Sequence, residues 1–128
     1  MTTGTYALET NAAGNRIVAT LSGFFGLGQV AAYAQEAERL IRRPSISFGG
    51  YRMVIDLTDC AVQSQEVIAA FSQHVAGVPR ADRLAVVAGS PIIRQQIRRI
   101  IGRPEIAIFE HLPDAMAWLN GAVTERAG

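Results

Sequence analysis

The chain contains no lysine; all 12 of its basic residues are arginine. This absence removes Schiff-base chemistry on a lysine amine and the phosphate-loop lysine of nucleotide hydrolases. Cysteine occurs once, at Cys60, which excludes an internal disulfide and leaves too few ligands for a thiolate metal cage. Histidine occurs twice, at His74 and His111, and no convincing metal set forms around two such distant residues. Charge is also sparse: 18% of residues are charged and the net charge is +1, so no global field favours nucleic acid. Apolar runs stay well short of the roughly 18 residues needed to cross a bilayer. The start, Met1-Thr2-Thr3-Gly4, lacks a charged leader followed by an apolar stretch. A cytoplasmic protein without metal or cofactor is the expectation.

Apolar residues make up 49% of the 128 positions, too many for a disordered chain and enough for one core without disulfides. A single domain over 1–128, with its core at about 6–121, is expected. Tyr6 to Glu9 and Arg16 to Ser22 read as strands joined by the turn Asn11-Ala-Ala-Gly14-Asn15, hence an antiparallel hairpin. A glycine-rich passage, Gly23 to Gly28, leads into a helix from about Gln29 to Arg43. Val30, Ala34, Ala37 and Ile41 recur there at helical spacing, and Pro44 ends it. The loop Pro44 to Gly50 carries an apolar pair, Ile46 and Phe48.

Arg52 to Leu57 and Arg83 to Ala88 are nearly continuous apolar runs, the pattern of buried parallel strands. Between them a helix from Gln65 to Ala76 presents Val67, Ile68, Phe71 and Val75 on one face, and Gly77 and Pro79 stop it. Ser90-Pro91 opens the next helix, whose stripe is Ile93, Ile97, Ile100 and Ile101 and which Gly102 and Pro104 end. Glu105 to Phe109 is the last strand. Pro113 begins the final helix, with Met116, Trp118, Leu119 and Val123 apolar. The order β-β-α-β-α-β-α-β-α predicts an α/β fold: a mostly parallel sheet with one antiparallel N-terminal edge strand, packed by four helices.

Four blocks carry a family resemblance: Ile17-Val-Ala-Thr-Leu-Ser-Gly23, Met53-Val-Ile-Asp-Leu-Thr58, Leu84-Ala-Val-Val-Ala-Gly-Ser90 and Phe109-Glu-His-Leu-Pro-Asp-Ala-Met-Ala-Trp-Leu119. In this order the chain resembles the STAS domain, and among its members the bacterial single-domain SpoIIAA-like proteins, relatives of CRAL-TRIO-type lipid binders. The resemblance implies a sequential strand order and a regulatory or ligand-binding module without catalytic apparatus. Anti-sigma antagonists of this family carry Asp-Ser-Ser-Gly after the third strand, and the second serine is phosphorylated at a helix N-terminus. An ungapped match from Asp56 puts Ser64-Gln65-Glu66-Val67 there, so Glu66 takes the phosphorylated position and Ser64 stands two residues before it. The resemblance therefore marks Asp59, Cys60, Ser64 and Glu66 as a candidate switch loop with its phosphoswitch lost.

Other constellations each have a plain and a functional reading. Gly26-Leu-Gly28-Gln-Val-Ala31 fits the dinucleotide pattern, but no acidic residue follows about 20 positions on, and a simple turn and helix start explains it. The shared C-terminal edge of the parallel strands offers Thr58, Asp59, Cys60, Gly89, Ser90, Glu110 and His111. A hydrolase built on Cys60 and His111 would have to bridge two strand spacings, roughly 10 Å. His74, near the end of its helix, is expected to stabilise that terminus. Arg94, Arg98, Arg99 and Arg103 face away from the isoleucine stripe with no acid between Ser90 and Pro104. They are either a solvated face or a contact surface for anionic lipid headgroups or an acidic protein. Phe24 and Phe25 are either core or an apolar lip for a ligand or partner. The leading expectation is a non-enzymatic module that binds a protein partner, with a second copy of the chain one candidate. The alternative is a carrier or sensor of a small apolar or lipid ligand between sheet and helices, which a cavity of about 300 Å³ or more would favour.

Overall fold

The computed structural model describes residues 3–11, 15–43, 46, 50–100 and 103–121. The turn residues 12–14, Pro44, Phe48, Ile101, Gly102 and Val123, all named above, lie outside the described residues. In chain order the elements are β1 (Thr5–Thr10), β2 (Arg16–Gly23), α1 (Leu27–Ile41), β3 (Arg52–Cys60), α2 (Gln65–Gly77), β4 (Arg83–Val87), α3 (Pro91–Ile100), β5 (Ile106–Phe109) and α4 (Leu112–Leu119).

The five strands form one sheet in the order β1-β2-β3-β4-β5. Only β1 runs antiparallel, with Tyr6 opposite Leu21 and Leu8 opposite Ala19; the β2–β3, β3–β4 and β4–β5 pairs are parallel. Right-handed crossovers between sequential parallel neighbours must all pass over the same face. Accordingly α1, α2 and α3 share one side, where Ile17, Tyr33, Met53, Val67, Val86 and Ile97 belong to the larger core cluster. The opposite face is closed by α4, whose Ala115 and Leu119 pack on Val54, Ala85 and Val87. Period-2 alternation explains the split, because neighbours such as Val86 and Val87 enter different cores.

β3 runs three residues past the predicted Leu57. A register shift against β2 between Thr20 and Ser22 lets Asp59 pair with Ser22 and Cys60 with Gly23. These polar residues read as loop, but the bulge carries them on as strand and bends the ladder end. The start of α3 behaves as its serine implies, and Ser64 caps α2 in the same way. The Ser64 hydroxyl accepts from the Val67 amide at 3.2 Å, and the Ser90 hydroxyl from the Ile93 amide at 3.4 Å.

Candidate functional site: the end of the sheet where the helices begin

In this topology β2, β3, β4 and β5 end, and α1, α2, α3 and α4 begin, at the same end of the molecule. Among the described residues the exposed large apolar side chains are Leu27, Val62, Ile92 and Leu112. Leu27 and Leu112 open α1 and α4, Ile92 lies in the first turn of α3, and Val62 stands just before α2. Scattered exposed leucines are ordinary, but all four here crown one end. No periodicity revealed them, since each lies in the first turn or just before it, where the apolar stripe has not begun.

The candidate switch-loop residues lie along this end. Asp59 and Glu66 are exposed, Cys60 is half-buried, and Ser64 is engaged as the cap of α2. Glu66 in the first turn of α2 places a carboxylate where the helix dipole favours it. A residue that sequence reading missed fixes the loop: Gln63. Its side-chain oxygen accepts from the Phe25 amide at 2.9 Å, and its side-chain nitrogen donates to the Gly23 carbonyl at 3.0 Å. Gln96 on α3 donates to the Gln63 carbonyl at 3.2 Å. Glutamine at no fixed spacing offers no sequence signal for such a clamp.

The dinucleotide-like turn holds no open amide cradle at its start. The Gly26 amide donates to the side-chain oxygen of Gln29 at 2.8 Å, and the Gln29 side-chain nitrogen donates to the Gly4 carbonyl at 2.8 Å. Hydrolase chemistry fares no better. Burial, with Asp56 and Asp59 adding to it, pushes the Cys60 thiol up to about 11, so it is protonated at neutral pH. His111 is exposed at the end of β5, with β4 standing between it and the strand of Cys60.

The arginine face needs correction. Arg94 is spent: its guanidinium donates to the Ala88 carbonyl at 2.8 Å and the Gly89 carbonyl at 3.0 Å, and lies 3.5 Å from Glu110. Arg103 falls beyond α3 and pairs with Glu105 at 3.3 Å, which Arg80 also reaches at 3.1 Å. The acids come from other elements, where a search along the helix could not see them. Arg98 and Arg99 remain as exposed cations on α3. The apolar lip is corrected too: Phe25 is 1% exposed and packs edge-on to Phe71, while Phe24 is half-buried. His74 also departs from its expected role. Its ring lies edge-on to Tyr33 at 5.4 Å, and burial lowers its pKa against the pull of Glu38, so it adds little positive charge to the helix end.

Between the sheet and α1–α3 lies a mainly apolar cavity of about 120 Å³, lined by Phe25, Tyr33, Met53, Cys60 and Phe71 among others. Its volume is below the roughly 300 Å³ where ligand pockets usually begin. No group of three or more potential metal ligands occurs among the described residues, nor does any helix long and apolar enough to cross a membrane.

No family model matches the sequence, and no curated protein matches it. Solved structures do. An anti-sigma factor antagonist from Mycobacterium paratuberculosis is similar with a TM-score of 0.67 at 17% identity, over 91% of this chain and 94% of that one. An uncharacterized protein with a SpoIIAA-like fold from Shewanella loihica is similar with a TM-score of 0.62 at 14% identity, over 91% and 93%. The anti-sigma factor antagonist SpoIIAA in its unphosphorylated form follows with 0.58 at 14% identity, over 91% and 99%. The chain therefore has the SpoIIAA-like fold.

Proposed function

We propose that this protein is a non-enzymatic regulatory module that binds a protein partner through the end of the sheet where the helices begin. The observation that carries the reading is the gathering of Leu27, Val62, Ile92 and Leu112 at that end. An apolar centre with a polar margin is the usual make-up of a docking patch, and Asp59, Glu66 and Glu110 supply the margin. The likeness to anti-sigma factor antagonists supports a partner of the regulatory-protein class. The protonated Cys60 thiol and the occupied helix start of α1 support a role without catalysis or nucleotide. Glu66 keeps a carboxylate at the matched switch position, and Ser64 already uses its hydroxyl as a cap; both support binding without a phosphoserine there. The fold and the absence of a membrane-crossing helix among the described residues support a place in the cytoplasm.

Site-specific photo-crosslinking in the source cells tests the reading. A benzophenone side chain at position 92 or 112 is expected to give an adduct of one common mass, and the same group at the exposed Gln73 none. Leu27→Asp should suppress both adducts. An adduct of twice the chain mass would identify the partner as a second copy. Equal labelling at Gln73, or none at either apolar position, would overturn the proposal.

A further inference from the structure

We infer that the cavity between the sheet and α1–α3 is a binding site for a small aromatic molecule, a single ring bearing one hydroxyl or carbonyl group, held by the Tyr33 hydroxyl. Size is the first argument. At about 120 Å³ the space is close to the apolar cavities of about 150 Å³ that take up benzene, and too small for drug-sized or acyl-chain ligands.

Shape is the second. Phe25 and Phe71 stand edge-to-face with centroids 5.7 Å apart, and Tyr33 and Phe71 do so at 5.9 Å. All three rings line the cavity, and another ring can continue the same edge-to-face arrangement. Gln63, His74 and Gln96 also line the cavity, but most of the other lining side chains, Met53 and Ile68 among them, are apolar and favour a ring over an acyclic polar ligand.

The third argument is polar. Tyr33 is 2% exposed, and none of the hydrogen bonds among the described residues includes its hydroxyl. No sealed side-chain oxygen or nitrogen among them lacks a partner, so this hydroxyl is reachable by a small molecule, and its residue lines the cavity. Burial raises its pKa, which agrees with a position deep in the core. The contrast is Tyr51, which also lines the cavity but donates its hydroxyl to the Pro79 carbonyl. A reachable hydroxyl without a protein partner is a donor free to meet a ligand oxygen.

Phenol and toluene titrated into the purified full-length chain test the inference, read from the methyl NMR signals of Met53 and Ile68. Both compounds are expected to shift these signals saturably, and transferred contacts should place the phenol ring against Phe71. Tyr33→Phe removes only an oxygen without a protein partner. It should weaken phenol by about three- to tenfold while leaving toluene unchanged. Absence of saturable shifts at millimolar concentrations would overturn the inference, as would phenol binding indifferent to Tyr33→Phe. Protein docking plays no part in this measurement, so its failure leaves the partner reading intact.

Discussion

The Cys60 thiol sits between the apolar wall of the cavity and the carboxylates of Asp56 and Asp59, and both surroundings disfavour the thiolate. With its pKa pushed up to about 11, alkylation by iodoacetamide at pH 8 should run about 100-fold slower than for a free thiol. The rate should climb about tenfold per pH unit up to about pH 10; levelling above about pH 9.5, with a midpoint near 8.5, would show an ordinary thiol. His74 makes a second residue-scale case. Its pKa is lowered in the folded chain, so between that value and the ordinary 6.5 the unfolded chain binds a proton that the folded chain refuses. Its contribution is therefore fully present above pH 6.5 and is lost as pH falls through the folded value. Urea midpoints at pH 7 and pH 5 should fall further apart for the parent chain than for His74→Gln; equal differences would discount the imidazole. Both residues were singled out in the sequence for their chemistry. What burial does to that chemistry was not legible, because the neighbours that bury them, Tyr33 for His74 and the cavity wall for Cys60, lie on other elements.

At the scale of elements, α4 has only eight residues, and a helix so short needs tertiary support. Its last carbonyls receive two arginines from the starts of neighbouring strands. Arg52 donates to the Leu119 carbonyl at 2.7 Å, and Arg83 donates to the Trp118 carbonyl with its guanidinium 5.0 Å above the Trp118 ring. Cations at a helix C-terminus oppose its dipole, and the planar guanidinium both stacks and donates, which an ammonium cannot do equally well. Arg83→Lys should therefore cost about 1–3 kcal/mol in urea denaturation, in line with lost charge-assisted bonds. A cost below about 0.5 kcal/mol, the range of exposed substitutions, would mean the clamp adds nothing. The same reasoning divides the arginines of α3. Arg98→Gln with Arg99→Gln should leave stability within about 0.5 kcal/mol, whereas Arg94→Gln frees the Ala88 and Gly89 carbonyls and should cost about 1–3 kcal/mol. Periodicity located α1, α2, α3 and α4 because each buries apolar side chains on one face. It could not say which arginines are free, because Glu105 and Glu110 reach them from the two flanks of β5.

For the molecule as a whole, strand style accounts for a mostly parallel sheet with an edge hairpin, through continuous apolar runs for β3 and β4, a hairpin for β1 and β2, and one helix between each parallel pair, whereas the sequential order β1-β2-β3-β4-β5 was legible only through the family resemblance. The cavity was not legible, because it is a mismatch among side-chain volumes contributed by three helices and the sheet. The same architecture distributes stability unevenly. All five residues of β4 are buried, and the strand is covered by the larger core on one face and by α4 on the other. β1 is an edge strand in which Tyr6 and Leu8 alone are half-buried and the rest are exposed. Local opening costs least where few apolar contacts are lost. Native-state hydrogen exchange should therefore show β4 amides exchanging only through global unfolding. The β1 amides bonded to β2 should exchange by local opening, at least about tenfold faster. Addition of denaturant separates the two, since the β1 rate should respond weakly and the β4 rate steeply in proportion to the surface each opening exposes. If β1 is as protected and as denaturant-sensitive as β4, the hairpin belongs to the same cooperative unit as the parallel strands, and the edge is held by more than Tyr6 and Leu8.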